Sequence, residues 1–390
     1  MRAPAGIFDG FDIDWEYPGG GGHTGNHSSA ADKQNYTALL AELRGELDAQ
    51  GKTDGKTYAL SAAVGAGQDK IQNVETDKIG QYLTFMDVMT YDMHGAWDAT
   101  GPTNHQAALY SDPNDPMTPV KPGTSKYSID EAIKAWTVGD AEYGIKGGFP
   151  AKKINMGVPF YYRGWTGVPA GSSHGLFQSA TGPATGAAMS GNVNGIRMFK
   201  ELNGFVDNPA DTYWDDTAKA SYFYDGSTFW SGENAKSIQA KADYLHCNGL
   251  GGSFAFSLYD LGTQTGLFDT MVSATNGSAA SCPAPPTSAT PTSPAPTSPA
   301  PTSPAPTSPA PTSPAPTSPA PTTPAPTTPA PTTPAPGTCT APSWSASATY
   351  ATSGTKVSWK GHTYTNKWWT TNEDPSLSGQ WGVWTDNGPC

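Results

Sequence analysis

The sequence predicts an α/β fold built on a parallel sheet, followed by a long spacer and a small aromatic-rich module. Three observations carry this. From Phe8 to Leu258, strand-like apolar runs alternate with stretches of helical periodicity, the pattern of strands joined by crossover helices. From Pro283 to Gly337 there is no charged and no aromatic residue, and 22 of the 37 prolines lie there. The last 53 residues hold six of the twelve tryptophans. The expected domains are residues 1–282, the spacer 283–337 and the module 338–390.

Phe8–Trp15 reads as a strand. Tyr36, Leu39, Leu40, Leu43 and Leu47 recur at helical spacing and predict a helix over Asn35–Gln50. Strands follow at Leu60–Val64 and Met86–Tyr91, with a helix at Thr76–Leu83 between them. A helix over Ser128–Tyr143 opens on a Ser128 cap, with Glu131 three residues on. Ile154–Tyr161 reads as a strand, and Ala235–His246 as a helix ended by Asn248-Gly249. Leu250–Leu258 is the final strand. Residues 164–232, rich in Gly, Asn and aromatics, break the rhythm and read as an insertion. In the spacer, nine five-residue repeats (six PTSPA, three PTTPA) run from Pro291 to Ala335. Proline fixes φ and removes N–H donors, which excludes helix and sheet. An extended polyproline II chain over these 45 residues reaches on the order of 140 Å. Its Thr and Ser are candidate O-glycosylation sites.

The net charge of −12 lies entirely in the first 282 residues. An acidic block of this kind repels nucleic acid and anionic membranes, and no apolar run is long enough to span a bilayer. Low charge, four cysteines and a Pro/Thr spacer suit an extracellular, secreted chain. The first residues carry no signal-peptide pattern. Nothing calls for a cofactor, and His94 reads as a loop residue, since no other His or Cys stands at metal-site spacing.

The segment from Asp9 to Pro18, DGFDIDWEYP, is the most informative. Side chains alternate along a strand, so Asp12, Asp14 and Glu16 share one face and Phe11, Ile13 and Trp15 the other. Neighbours on one face are about 7 Å apart. Three acids that close do not all ionise cheaply, so at least one carboxyl is expected to rise. A raised carboxyl at a strand end is how an acid stays protonated for general acid catalysis. A divalent-metal site and a solvated edge strand are the competing readings. Phe11 and Trp15 opposite the acids argue against the edge, and hard metals more often use loop acids.

Asp9 to Glu16 matches the DGxDxDxE signature of glycoside hydrolase family 18, and Tyr17-Pro18 its usual continuation. Met89-Thr90-Tyr91-Asp92, with Trp97 beyond it, resembles the family's MxYD strand. Gly157 to Arg163 resembles its GxPFYGR strand, and Gly249 to Gly252 the start of its last strand. The resemblance covers residues 6 to 275. It implies a (β/α)8 TIM barrel of which strands 4 to 8 are present, carrying a small α+β insertion. It also implies retaining hydrolysis of chitin and chitin oligosaccharides in which the substrate's own N-acetyl oxygen attacks the anomeric carbon. Glu16 then corresponds to the acid/base, Asp14 to the group orienting the acetamide, and Asp12 to its proton-sharing partner. Asp9 holds the strand. Tyr91 corresponds to the donor to the acetamido oxygen and Asp92 to a contact of the distorted sugar. Trp97 corresponds to a stacking platform, with Met89, Tyr161 and Arg163 lining the cleft. Phe256 stands where the family carries a Trp beneath the reacting sugar, and Tyr162 where it carries a Gly.

In the family three strand–helix units precede the signature strand; here the signature begins nine residues from Met1. The resemblance therefore implies a barrel without its front, from a late start codon or a truncated gene. The chain as written is then expected to aggregate or lack activity. In the module, the pattern ending in Lys367-Trp368-Trp369-Thr370 resembles carbohydrate-binding modules of families 5 and 12. Trp368, Trp369 and Trp381 are the expected chitin-binding surface. Cys339 and Cys390 bracket the module and are expected to pair, while Cys247 and Cys282 pair with each other or lack partners. The expected whole is a monomeric secreted chitinase with no metal. The alternatives are a non-catalytic chitin-binding protein and an endo-β-N-acetylglucosaminidase.

Overall fold

The computed structural model describes residues 7–23, 25–117, 127–202, 204–206, 208–282, 339–350, 352, 354–367, 370–371, 373–378 and 383–390. The chain separates into two units, Met1–Pro291 and Thr292–Cys390. The first unit opens with β1 (Gly10–Asp14), α1 (Asp32–Asp54), β2 (Ala59–Gly65), α2 (Gln68–Ile71), α3 (Thr76–Ile79), β3 (Phe85–Met89), α4 (Ile129–Thr137) and β4 (Ile154–Pro159). Six strands follow: β5 (Tyr161–Thr166), β6 (Gly182–Pro183), β7 (Ile196–Met198), β8 (Thr212–Asp215), β9 (Ala220–Tyr224) and β10 (Phe229–Ser231). It closes with α5 (Ala235–Cys247), β11 (Gly252–Phe256) and α6 (Gly266–Thr275).

β1, β2, β3, β4 and β11 form one all-parallel sheet in that order, the arrangement of a partial (β/α)8 barrel. Alternation sorts its residues. Leu60, Ala62, Val64, Met86, Val88, Ile154 and Met156 are buried on one face, in a core with Tyr36, Leu40 and Leu47 of α1 and Trp136 of α4. Those α1 residues fall at the expected helical spacing, and each large apolar side chain so buried contributes about 1.5–3 kcal/mol. The helix stops at Gly55, which takes a left-handed φ of 70°. Ile13 and Trp15 lean on the same core, and the Trp15 ring meets Tyr36 edge-on at 5.6 Å. β1 and β11 are the outermost strands, and Phe11 and Phe256 on them are 51% and 56% exposed.

The expected strand Ile154–Tyr161 divides in two. β4 ends at Pro159, and Tyr161 already belongs to β5, which pairs antiparallel with β7 and β10. The antiparallel sheet therefore starts before residue 164. Tyr162 turns into its core, fully buried, and donates its hydroxyl to the Glu233 carbonyl at 2.6 Å. The helix expected to reach Tyr143 ends at Thr137, because Gly139 (φ 104°) and a bridge between Asp140 and Ile145 turn the chain back. Its start is as expected, with Ser128 Oγ accepting the Glu131 N–H. Helix α6 had no counterpart in the sequence reading. A disulfide joins Cys247 to Cys282.

In the second unit, β12 (Thr349–Tyr350) pairs with β15 (Thr370–Thr371), and β13 (Lys356–Trp359), β14 (His362–Asn366) and β16 (Trp384–Pro389) form an antiparallel sheet. Val357, Tyr364, Val383 and Trp384 make its core, with Trp344 and Trp359 packed against them. Cys339 and Cys390 are joined. Trp368, Trp369, Trp381 and the spacer repeats lie outside the described residues.

Candidate active site

A cleft of about 620 Å³ opens on the face of the parallel sheet opposite its helix-packed core. Asp12 and Asp14 reach it from β1 and Glu16 from just beyond that strand's end; Asp87 and Met89 come from β3, and Phe254 and Phe256 from β11. These are the positions alternation leaves on that side. Tyr91 and Asp92 enter from the loop after β3, and Tyr161 and Arg163 from β5.

The acid row is bound together. Asp12 accepts the Ser61 hydroxyl at 2.5 Å. Burial, then the charges of Glu16 and Asp12, then a hydrogen bond with Glu16 push the Asp14 carboxyl up from 3.8 to about 6. Glu16 also bonds the Tyr17 hydroxyl, and burial raises that phenol. The chain beyond Glu16 folds back over it. Asn26 Nδ2 donates to the Glu16 carbonyl at 2.8 Å, and a Cβ on Gly22 would come within 2.3 Å of the same oxygen. Only glycine fits there, and its φ of 68° also favours glycine.

Opposite the row, burial and the charges of Asp92, Asp14 and Glu16 keep the Tyr91 phenol protonated, so it is a hydrogen-bond donor into the cleft. Asp92 takes a left-handed φ of 57°, and Arg163 grips its carboxylate through two bonds of 2.8 Å. The Arg163 guanidinium lies 5.3 Å from both the Trp97 and the Tyr161 rings. Tyr161 is buried, whereas Trp97 is 56% exposed and stands outside the lining itself. The Phe256 ring sits 6.2 Å from Tyr91 and from Tyr161.

The sequence reading missed several lining residues. Asp69 and Lys70 sit on the one-turn helix α2, and Tyr17, Tyr127 and Asp260 on short segments outside the strands, where no periodicity marks them. Lys70 pairs with Asp69 at 3.0 Å, and Tyr127 donates to the same carboxylate at 2.7 Å. Asp87 was legible in principle, standing two residues before Met89 on the same strand face. Among the described residues no His/Cys/Asp/Glu group has the arrangement of a metal site. A row of three carboxyls, one of them raised by burial and its neighbours, and a phenol donor around one space suit proton transfer to an oxygen with stabilisation of positive charge.

Residues 2–260 match the model of "Glycosyl hydrolases family 18". Chitinase A1 of Niallia circulans is 38% identical over 254 residues, covering 64% of this chain and 34% of the relative. The chain is likewise similar to the catalytic domain of a psychrophilic chitinase B from Arthrobacter, with 33% identity and a TM-score of 0.59 over 71% of this chain and 60% of that one. A family 18 N-acetylglucosaminidase from Paenibacillus barengoltzii has 32% identity and a TM-score of 0.56, over 68% and 70%. The chain thus spans about a third of the length of its N. circulans relative and about two fifths of that of a probable endochitinase of Orgyia pseudotsugata multicapsid polyhedrosis virus.

Proposed function

This chain belongs to the glycosyl hydrolases of family 18, and on that premise we propose that it acts on chitin by substrate-assisted, retaining cleavage of β-1,4-linked N-acetylglucosamine. The observation that carries the reading is the row Asp12, Asp14, Glu16 facing Tyr91 across one cleft. Tyr91 donates to the substrate's acetamido oxygen and holds it beneath the anomeric carbon. Glu16 protonates the leaving glycosidic oxygen as the acetamido oxygen attacks the anomeric carbon and the glycosidic C–O bond breaks. Asp14 receives the acetamido N–H and offsets the charge of the resulting oxazolinium, with Asp12 sharing its proton. Water then attacks the anomeric carbon, giving its proton to Glu16, and the ring reopens with retention. Asp92, fixed by Arg163, meets the distorted sugar; Phe256 and Met89 lie against its ring, Tyr161 closes the wall, and Trp97 stacks on the sugar beyond the scissile bond.

The second unit is proposed as a chitin anchor of the family 5 and 12 type, acting through Trp368, Trp369 and Trp381. Three of its six tryptophans, Trp344, Trp359 and Trp384, are taken up by its core, which supports a surface role for the others. Extracellular action as a monomer on an insoluble polymer fits both parts. Glu16→Gln tests the assignment: hydrolysis of chitin oligomers should fall at least 100-fold, the scale of general acid catalysis. Turnover near the wild-type level would refute it. One observation favours a second reading, binding without cleavage: β1, which leads into Glu16, and β11, which carries Phe256, are the two outermost strands of the sheet. Oligomer binding by the wild-type chain with no release of reducing ends would select it.

A further inference from the structure

The cleft holds an acid that this mechanism does not use. Asp87 lies on β3 and lines the cleft floor. The strand register sets it in one cross-strand row: Asp14 opposite Ala63, Ala63 opposite Asp87, Asp87 opposite Asn155, and Asn155 opposite Gly252. The row reads acid, methyl, acid, amide, hydrogen. Ala63 is too short to fill the space between the acids on either side of it. A Cβ on Gly252 would come within 2.9 Å of Asn155 Oδ1; its absence leaves that amide room to donate Nδ2 to Asp87 Oδ1 at 2.9 Å. Strands two apart in a sheet are separated by about 9–10 Å, and charges at that range are felt where protein displaces water.

We propose that Asp87 is a positioning residue of the acid row: its charge, acting across Ala63, sets how firmly the Asp12–Asp14 pair holds its proton. This rests on the roles given to Asp12 and Asp14 above. Burial raises Asp87's own carboxyl, the Asn155 hydrogen bond draws it down, and the Asp12 charge raises it again. The groups around it are few. Asp12, Asp14 and Glu16 face it from the β1 side, and Tyr91 and Asp92 from the segment after β3. The neighbouring strands contribute Ser61, Ala63, Asn155 and Phe254, none of them charged. Both cations lining the cleft are engaged elsewhere, Lys70 with Asp69 and Arg163 with Asp92. A neighbouring anion makes a carboxyl pair harder to ionise, so Asp87 raises the pH at which the pair loses its proton.

The test is Asp87→Asn in the full chain, which keeps the shape and still accepts from Asn155. Carboxyl carbon NMR of aspartate-labelled protein reads the Asp14 midpoint directly, near 6 in the wild type. The variant should lower it by about 0.5–1 pH unit, and the matching limb of the pH–rate profile for oligomer hydrolysis should move with it. Asn155→Ala, which removes the donor favouring the Asp87 anion, should move the midpoint the same way. Unmoved midpoints in both variants, even with lower turnover at every pH, would make Asp87 a packing residue and overturn the proposal. The titration needs no turnover. A moved midpoint in a chain that binds oligomers without cleaving them would support this inference while refuting the chitinase reading.

Discussion

Asp14→Asn should make the protein more stable at neutral pH while impairing its chemistry. Asp14's carboxyl sits at about 6 in the fold against an ordinary 3.8, so the fold prefers the protonated group. That preference is fully present below pH about 3.8 and is lost as pH rises through about 6. The whole difference corresponds to about 3 kcal/mol. Asp14 keeps an exposed edge, however, and solvent screens it, which leaves about 1 kcal/mol. The charge of Asp12, about 7 Å away along the strand, supports that scale: the pair costs about 0.6 kcal/mol in bulk water and about 2.4 at an effective dielectric of 20. The amide carries no charge at any pH. Thermal melts should therefore place Asp14→Asn about 2–4 °C above wild type at pH 7.5 and level with it at pH 4. A shift of equal size at both pH values would mean that packing, not charge, separates the two proteins, and the electrostatic account of the row would be wrong.

Two further outcomes concern the rest of the chain. Replacing Trp369 and Trp381 together by Ala should release the full chain from insoluble chitin even in high salt, since stacking on sugar faces is not screened; unchanged retention would move the platform elsewhere. Cys282→Ser opens a cross-link spanning 35 residues, β11 and α6 among them, and should lower stability by up to about 4 kcal/mol by denaturant titration. A loss below about 0.5 kcal/mol would show that α5 and α6 hold together by packing alone.

The acid row could be read from the sequence because strand alternation has a period of two, and five residues were enough to assign both faces. The same rule applied to Phe85–Met89 selects Asp87 beside Met89, so the fourth acid carries the same local signal as the first three. Lys70 and Asp260 are a different case. Lys70 reaches the cleft from α2, 54 residues beyond Glu16, and what sets its place is the turn after β2 and its pairing with Asp69. Long-range placement of this kind leaves no local trace. The split between β4 and β5 was hidden because Val158 to Tyr162 is apolar throughout. One run served two sheets: Val158 pairs in the first and Tyr162 in the second, although both side chains pack in one core. The sequence predicts a helix to Tyr143 because apolar residues such as Val138 and Tyr143 continue past Thr137. Gly139 and Gly144, both at positive φ, outweigh them.

The chemistry of β1 and its stability act on opposite faces of one strand, and this fixes the site's geometry. Gathering acids on the cleft face works against folding by about 1 kcal/mol for Asp14 alone after screening. Ile13 and Trp15, packed on α1 and the β2 core, act the other way with a larger sum, since even a half-buried large side chain contributes about 1 kcal/mol or more. A slip of one residue along β2 would turn Ile13 and Trp15 into the cleft and drive Asp12, Asp14 and Glu16 into an apolar core. The cations lining the cleft would not follow the acids there, being held on the cleft side by Asp69 and Asp92. The apolar face thus locks the register to a single residue, and the placing of Asp14 beside Ala63 and across from Asp87 follows from it. The precision of the acid row is set by the core behind it.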